Sequence, residues 1–154
     1  MLNLDTHILL YALDGSLKPA ELALLTSEPW GVSAIVLWEL AKLAQLGRIA
    51  LDVRSPEFAK ILTRVRVWPL DVAICRKSTE LDFSSDPADE LIAATSIVHG
   101  VPLVTRDKKI RRSKLVPFAA LWVMQSGCSL GGDTRGRRPD GPPDLPRSSA
   151  LTPA

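Results

Sequence analysis

The sequence predicts an α/β fold in which a central parallel sheet is flanked by helices, and three observations carry that expectation. Short β-rich bursts alternate with longer helical patterns from the N-terminus to about residue 123, the pattern of βαβ crossovers with a sheet covered on both faces. Two helical stretches open on Ser55-Pro56 and Asp86-Pro87, an N-cap followed by a residue pre-set for the first turn. A chain of 154 residues, 46% of them hydrophobic, supplies one core rather than two.

Taken in order, the first four residues read as a strand, followed by Asp5 and a short helix over 6–13 (THILLYAL). Residues 19–27 form a second helical pattern with Pro19 at an early position, and residues 30–33 (WGVS) suit a short buried strand. A longer helix over 34–46 stops at Gly47, a suitable C′ residue; Leu37, Leu40, Ala41 and Ala44 mark its apolar stripe and Glu39 lies off it. The Ser55-Pro56 helix runs to residue 64, residues 65–70 (VRVWPL) suit a strand, and residues 72–81 are helical, with Cys75 expected in the core. Asp86, Pro87 and the acid at Asp89 start a helix that ends near Gly100. A strand over 101–105 (VPLVT), a basic turn or short helix over 108–114 and a last short strand within 115–123 complete a domain of residues 1–123. Residues 124–154 turn to Gly, Pro, Ser, Arg and Asp without periodicity and are expected to be a disordered tail.

Several classes of function are set aside early. No run approaches the roughly 20 apolar residues of a bilayer span, and the start of the chain lacks the basic and apolar regions of a signal peptide, so a soluble, cytoplasmic protein is expected. Cys75 and Cys128 are far apart and outside any CxxC or Cys/His pattern, which argues against zinc and against a disulfide framework. His7 and His99 lack a metal-binding spacing and are read as structural. A net charge of +2 does not announce a polyanionic partner, because phosphate affinity follows local clusters.

The acids carry more information. Sites on open parallel sheets gather beyond the carboxyl ends of the strands. Asp5 directly follows the first strand, and Asp107 follows the VPLVT strand after one residue. Glu39 and Asp89 lie on helices entered from the same side, so the four can converge. Carboxylates brought close must protonate or be neutralised by a cation, and an all-oxygen set favours Mg²⁺ or Mn²⁺ over zinc. Such a centre suits phosphodiester hydrolysis by activated water. Each residue also has a plainer reading: Asp5 and Asp107 as caps or turn residues, Glu39 as a solvated helical acid. Asp86 is assigned to the cap and Asp89 to the metal. Thr6 and Thr105 either orient a neighbouring carboxylate or close local turns, and Ser33 either caps the long helix or faces the site.

Together, LDTHILLYAL, SAIVLWELAKL, DPADELIAAT and PLVTRDKKI resemble the PIN-domain family, in particular the VapC-type toxins of bacterial toxin–antitoxin pairs. The resemblance covers residues 1–123 and implies the PIN-like three-layer fold. It matches Asp5, Glu39, Asp89 and Asp107 to the family's acidic quartet, which binds Mg²⁺ or Mn²⁺ directly or through water. It further implies a metal-dependent endoribonuclease that cuts single-stranded or loop RNA, acts as a homodimer and is restrained by a VapB-like antitoxin. The basic cluster of Arg106, Lys108, Lys109, Arg111, Arg112 and Lys114 beside Asp107 then suits RNA phosphates, its plainer reading being a solvated basic face. One departure stands out: Glu90 occupies a position where the family often carries Arg. That departure, with the tail, supports the alternative of a non-catalytic RNA-binding or antitoxin-binding domain. A phosphatase or phosphoacceptor is set aside because Asp5-Thr6-His7 offers no DxD nucleophile.

Overall fold

A computed structural model describes residues 1–119, so the expected tail, and the part of the expected last strand beyond Ala119, lie outside the described residues. Among the described residues, four strands form one parallel sheet: β1 (Leu2–Leu4), β2 (Trp30–Ser33), β3 (Arg66–Trp68) and β4 (Leu103–Val104), in the spatial order β3-β2-β1-β4. β1 pairs with both β2 and β4, so the first strand of the chain lies inside the sheet and every residue of it is buried. The crossovers supply six α-helices among the described residues: α1 (Thr6–Asp14) and α2 (Pro19–Ser27), α3 (Ala34–Gln45) and α4 (Pro56–Leu62), α5 (Val72–Ser78) and α6 (Pro87–His99). No helix among the described residues is long and apolar enough to cross a membrane.

Local chemistry explains most boundaries. Ser55 caps α4 by accepting from the Phe58 amide, Asp71 caps α5 at Ile74, and Asp86 caps α6 at Ala88. Gly15, Gly47 and Gly100 end α1, α3 and α6 in the left-handed region. The core gathers Leu4, Ile8, Leu9, Val32, Val36, Leu40, Ile92, Leu103, Val104 and Ile110, each at most 1% exposed. A fully buried side chain of this kind contributes about 1.5–3 kcal/mol. Gly31 of β2 has a packing reason. A Cβ there would strike the Trp68 indole, which lies across it and stacks on His99 at 5.5 Å between ring centroids.

Several expectations need adjustment. The strands are shorter than their apolar runs: β3 covers 66–68 rather than 65–70, and β4 covers 103–104 rather than 101–105. A run of β-formers is strand only where a neighbour pairs with it. α4 ends at Leu62 and α5 at Ser78, before the expected residues 64 and 81. Val36 and Leu40 are the buried residues of α3, whereas Leu37, Ala41 and Ala44 are only half-buried. Cys75 is exposed, contrary to its expected place in the core, because Ile74 is the one residue of α5 that is buried. Of the expected last strand, the described residues show a single parallel bridge between Phe118 and Leu103.

Candidate active site

The site forms where β1, β4 and the starts of α1, α3 and α6 meet. Asp5 stands at the N-cap position of α1 but makes no capping hydrogen bond with its side chain. Its carboxylate instead accepts from the Thr105 hydroxyl at the end of β4. Thr105 also accepts from the Asp107 amide at 3.0 Å, so one hydroxyl links the two acids at neighbouring strand ends. One turn into α3, Glu39 accepts from the Thr6 hydroxyl at 2.5 Å. Asp89, in the first turn of α6, accepts from the Ser85 hydroxyl at 2.7 Å.

These bonds decide the readings that the sequence left open. Thr6 and Thr105 each donate to a carboxylate, and Thr105 also closes a local turn by accepting from the Asp107 amide. Ser33 neither caps α3 nor reaches an acid; its buried hydroxyl accepts from Thr95 in the core, tying β2 to α6. Asp107 does act as a turn residue, with one oxygen accepting from the Lys109 and Ile110 amides that open the 3₁₀ turn Ile110–Arg112. Glu90 turns back to accept from the Ser85 amide at 3.0 Å, so its charge helps to fasten the loop ahead of α6.

Electrostatics couples the four acids. Burial is the main cause that raises the Asp5 carboxyl above its ordinary value; the Thr105 bond and the His7 charge oppose it, and the Asp107 charge adds to it. Glu39 is raised first by burial, against the Thr6 bond, and further by Asp5, Asp89 and Asp86. Asp89 is raised first by burial, against the Ser85 bond, and further by Asp5, Asp107 and Asp86. Desolvated carboxylates that repel one another favour either protonation or a cation.

The basic cluster divides. Lys108, Lys109, Arg112 and Lys114 are exposed on the face that follows Asp107, and Arg111 is half-buried on the same turn. Arg106 faces elsewhere. Its guanidinium forks onto Glu21 of α2, with Nε to Oε1 at 2.8 Å and Nη2 to Oε2 at 2.6 Å, and lies 4.0 Å over the Tyr11 ring. Arg106, expected to meet RNA phosphates, thus makes a bidentate pair within the chain.

Residues 3–114 match the family model of the PIN domain. The chain belongs to the PIN domain family. Within it, this PIN domain is 33% identical to Ribonuclease VapC22 of Mycobacterium tuberculosis over 129 residues, covering 77% of this chain and 96% of that relative. Its fold matches the crystal structure of VapBC2 from Rickettsia felis bound to a promoter DNA fragment, with a TM-score of 0.59 at 22% identity over 77% of this chain and 98% of that one. It also matches a toxin–antitoxin complex from Klebsiella pneumoniae, with a TM-score of 0.56 at 21% identity over 71% and 88% of the two chains. The fold of these PIN-type neighbours is thus the fold expected from the four sequence motifs.

Two site residues escaped the sequence. Ser85 looked like one more polar residue ahead of a helix cap, although a hydroxyl four positions before an acid can reach it once the cap reverses the chain. Glu21 is an ordinary first-turn acid by position, and nothing local signals its partner 85 residues away.

Proposed function

We propose that this PIN domain is a Mg²⁺- or Mn²⁺-dependent endoribonuclease, the toxin of a toxin–antitoxin pair. The observation that carries the reading is geometric: Asp5 and Asp107, at the ends of β1 and β4, share the Thr105 hydroxyl, and Glu39 of α3 accepts from Thr6, the residue next to Asp5. The Asp5 charge also helps to raise the Glu39 and Asp89 carboxyls. Its 33% identity to a protein named as a ribonuclease supports the substrate, and neighbours described as toxin–antitoxin complexes support a VapB-like partner.

The residues fit a hard divalent cation. All donors are carboxylate oxygens, and burial with mutual repulsion makes a cation favourable there. Among the described residues, no three acidic, histidine or cysteine side chains stand close enough together to enclose an ion, so the fit rests on the chemistry of the donors alone. Asp5, Glu39, Asp89 and Asp107 would hold it. When bound, the cation would lower the pKa of water and offset charge developing on the scissile phosphate. The chain's own part is orientation: Thr105 and Thr6 fix the Asp5 and Glu39 carboxylates, and Ser85 fixes that of Asp89. Lys108, Lys109 and Arg112 present charge to the RNA backbone beside Asp107, and Arg111 flanks them. The reading takes the protein to act as a homodimer in the cytoplasm, where its RNA substrate is.

The test is cleavage of an RNA with single-stranded loops by the purified chain, with Mg²⁺, with Mn²⁺ and with a chelator. Chelation should abolish cleavage, and Asp5→Ala or Asp89→Asn should each lower it about 100-fold or more. Intact RNA after incubation with wild type and either metal, or full cleavage by Asp5→Ala, would sink the proposal.

A further inference from the structure

We propose that Glu21, Arg106 and Tyr11 form a positioning clamp that sets the strand-end segment carrying Thr105 and Asp107. The proposal rests on the nuclease reading above and deepens it by adding residues that touch neither substrate nor metal. Arg106 lies between Thr105, which donates to Asp5, and Asp107, which opens the 3₁₀ turn. Thr105 and Asp107 are already joined across Arg106, since the Thr105 hydroxyl accepts from the Asp107 amide while donating to Asp5. Holding the Arg106 side chain on Glu21 and Tyr11 therefore fixes the short segment from which both of these groups reach the acids.

The Arg106 guanidinium is held at its edge and at its face. Both carboxylate oxygens of Glu21 accept from its guanidinium, at 2.8 and 2.6 Å, and the Tyr11 ring supports its face at 4.0 Å. Glu21 is itself fixed, with 3% exposure and an oxygen accepting from the Lys18 amide at 2.9 Å. The clamp thus joins α1, α2 and the β4 segment at one point. Stability alone does not require an ion pair here, because well-packed apolar residues commonly do as well as a buried pair. What a fork-to-fork pair adds is a fixed direction, which apolar contacts do not give.

The experiment compares Glu21→Gln, Arg106→Lys and the double variant with wild type in the full chain. Amide exchange of residues 105–110 is followed by mass spectrometry, and Mn²⁺ affinity by calorimetry. Gln preserves the volume of Glu21 and an acceptor for the Lys18 amide, so α2 stays intact, and Lys at 106 keeps the charge but not the fork. Both single variants should speed exchange across 105–110, leave exchange in α6 unchanged and weaken Mn²⁺ about tenfold, the scale of losing a supporting contact around a metal. The double variant should be little worse than either single one, as expected of partners in one interaction. Wild-type exchange rates in both single variants would overturn the clamp. So would Arg106→Lys weakening RNA binding without moving exchange, which would make Arg106 a phosphate contact. Failure of wild type to bind Mn²⁺ would instead remove the metal reading, and the exchange rates alone would then decide the clamp.

Discussion

Thr105 donates its hydroxyl to Asp5, a residue 100 positions earlier in the chain, and the same oxygen accepts the amide of Asp107. Thr105→Val keeps the shape and removes both bonds. RNA cleavage should fall about 10–100-fold, the range for losing a group that orients a metal ligand. Thr105→Ser should recover most of the activity. Equal activity of the Val and Ser variants in a cleavage time course would contradict this role.

The raised carboxyls of Asp5, Glu39 and Asp89 make the stability of the metal-free protein depend on pH. Each binds its proton more tightly folded than unfolded. Its contribution is therefore fully present below the unfolded carboxylate pKa and is lost as pH rises through the folded value. A divalent cation should offset that loss. Thermal melts should thus show a larger Mg²⁺-induced rise in Tm at pH 7.5 than at pH 4.5, and an equal rise at both would contradict the coupling.

Asp5→Asn separates stability from activity. A neutral amide removes a desolvated charge that other acids repel, so the metal-free variant should melt at or above the wild-type temperature at neutral pH. Cleavage should be lost all the same. A clear drop in its Tm would mean that the Asp5 carboxylate stabilises the fold.

Paired substitution of the exposed Lys108 and Lys109 by Ala addresses RNA binding. If both touch phosphates of a single strand, the slope of log affinity against log salt should shrink by about 0.7 for each. An unchanged slope in filter-binding titrations would move the RNA path away from this turn.

Gly31→Ala should destabilise the domain by about 1–3 kcal/mol, the usual cost of overpacking, because its Cβ would meet the Trp68 indole. Urea unfolding measures this directly. Gly31→Ala combined with Trp68→Leu should cost less than the two changes summed.

How much of this was legible in the sequence depended on distance along the chain. Helix starts at Pro56 and Pro87 and the ends at Gly47 and Gly100 are local chemistry, and they could be read without a fold. The Asp86 cap could be read for the same reason, whereas the acids were picked out as a set only through the four motifs together. Strand lengths could not, since Val101 and Pro102 have the composition of strand residues but β4 begins only at Leu103. Cys75 was misplaced because a seven-residue helix gives too short a stripe to choose between Ile74 and its neighbour. Arg106 looked like part of a basic run until Glu21, from another crossover, appeared beside it.

The pairing of β4 with β1 has a consequence for the protein's own synthesis. A growing chain carries Asp5 and Glu39 long before Thr105 and Asp107 exist, and contacts of such long sequence separation form slowly even afterwards. Until the strand-end segment docks, Asp5 lacks the hydroxyl that aims it and Asp107 has no place beside it. On the proposed reading, late closure of this kind would leave the nuclease inert while the ribosome is still making it, with an interval after release in which the proposed antitoxin could engage it.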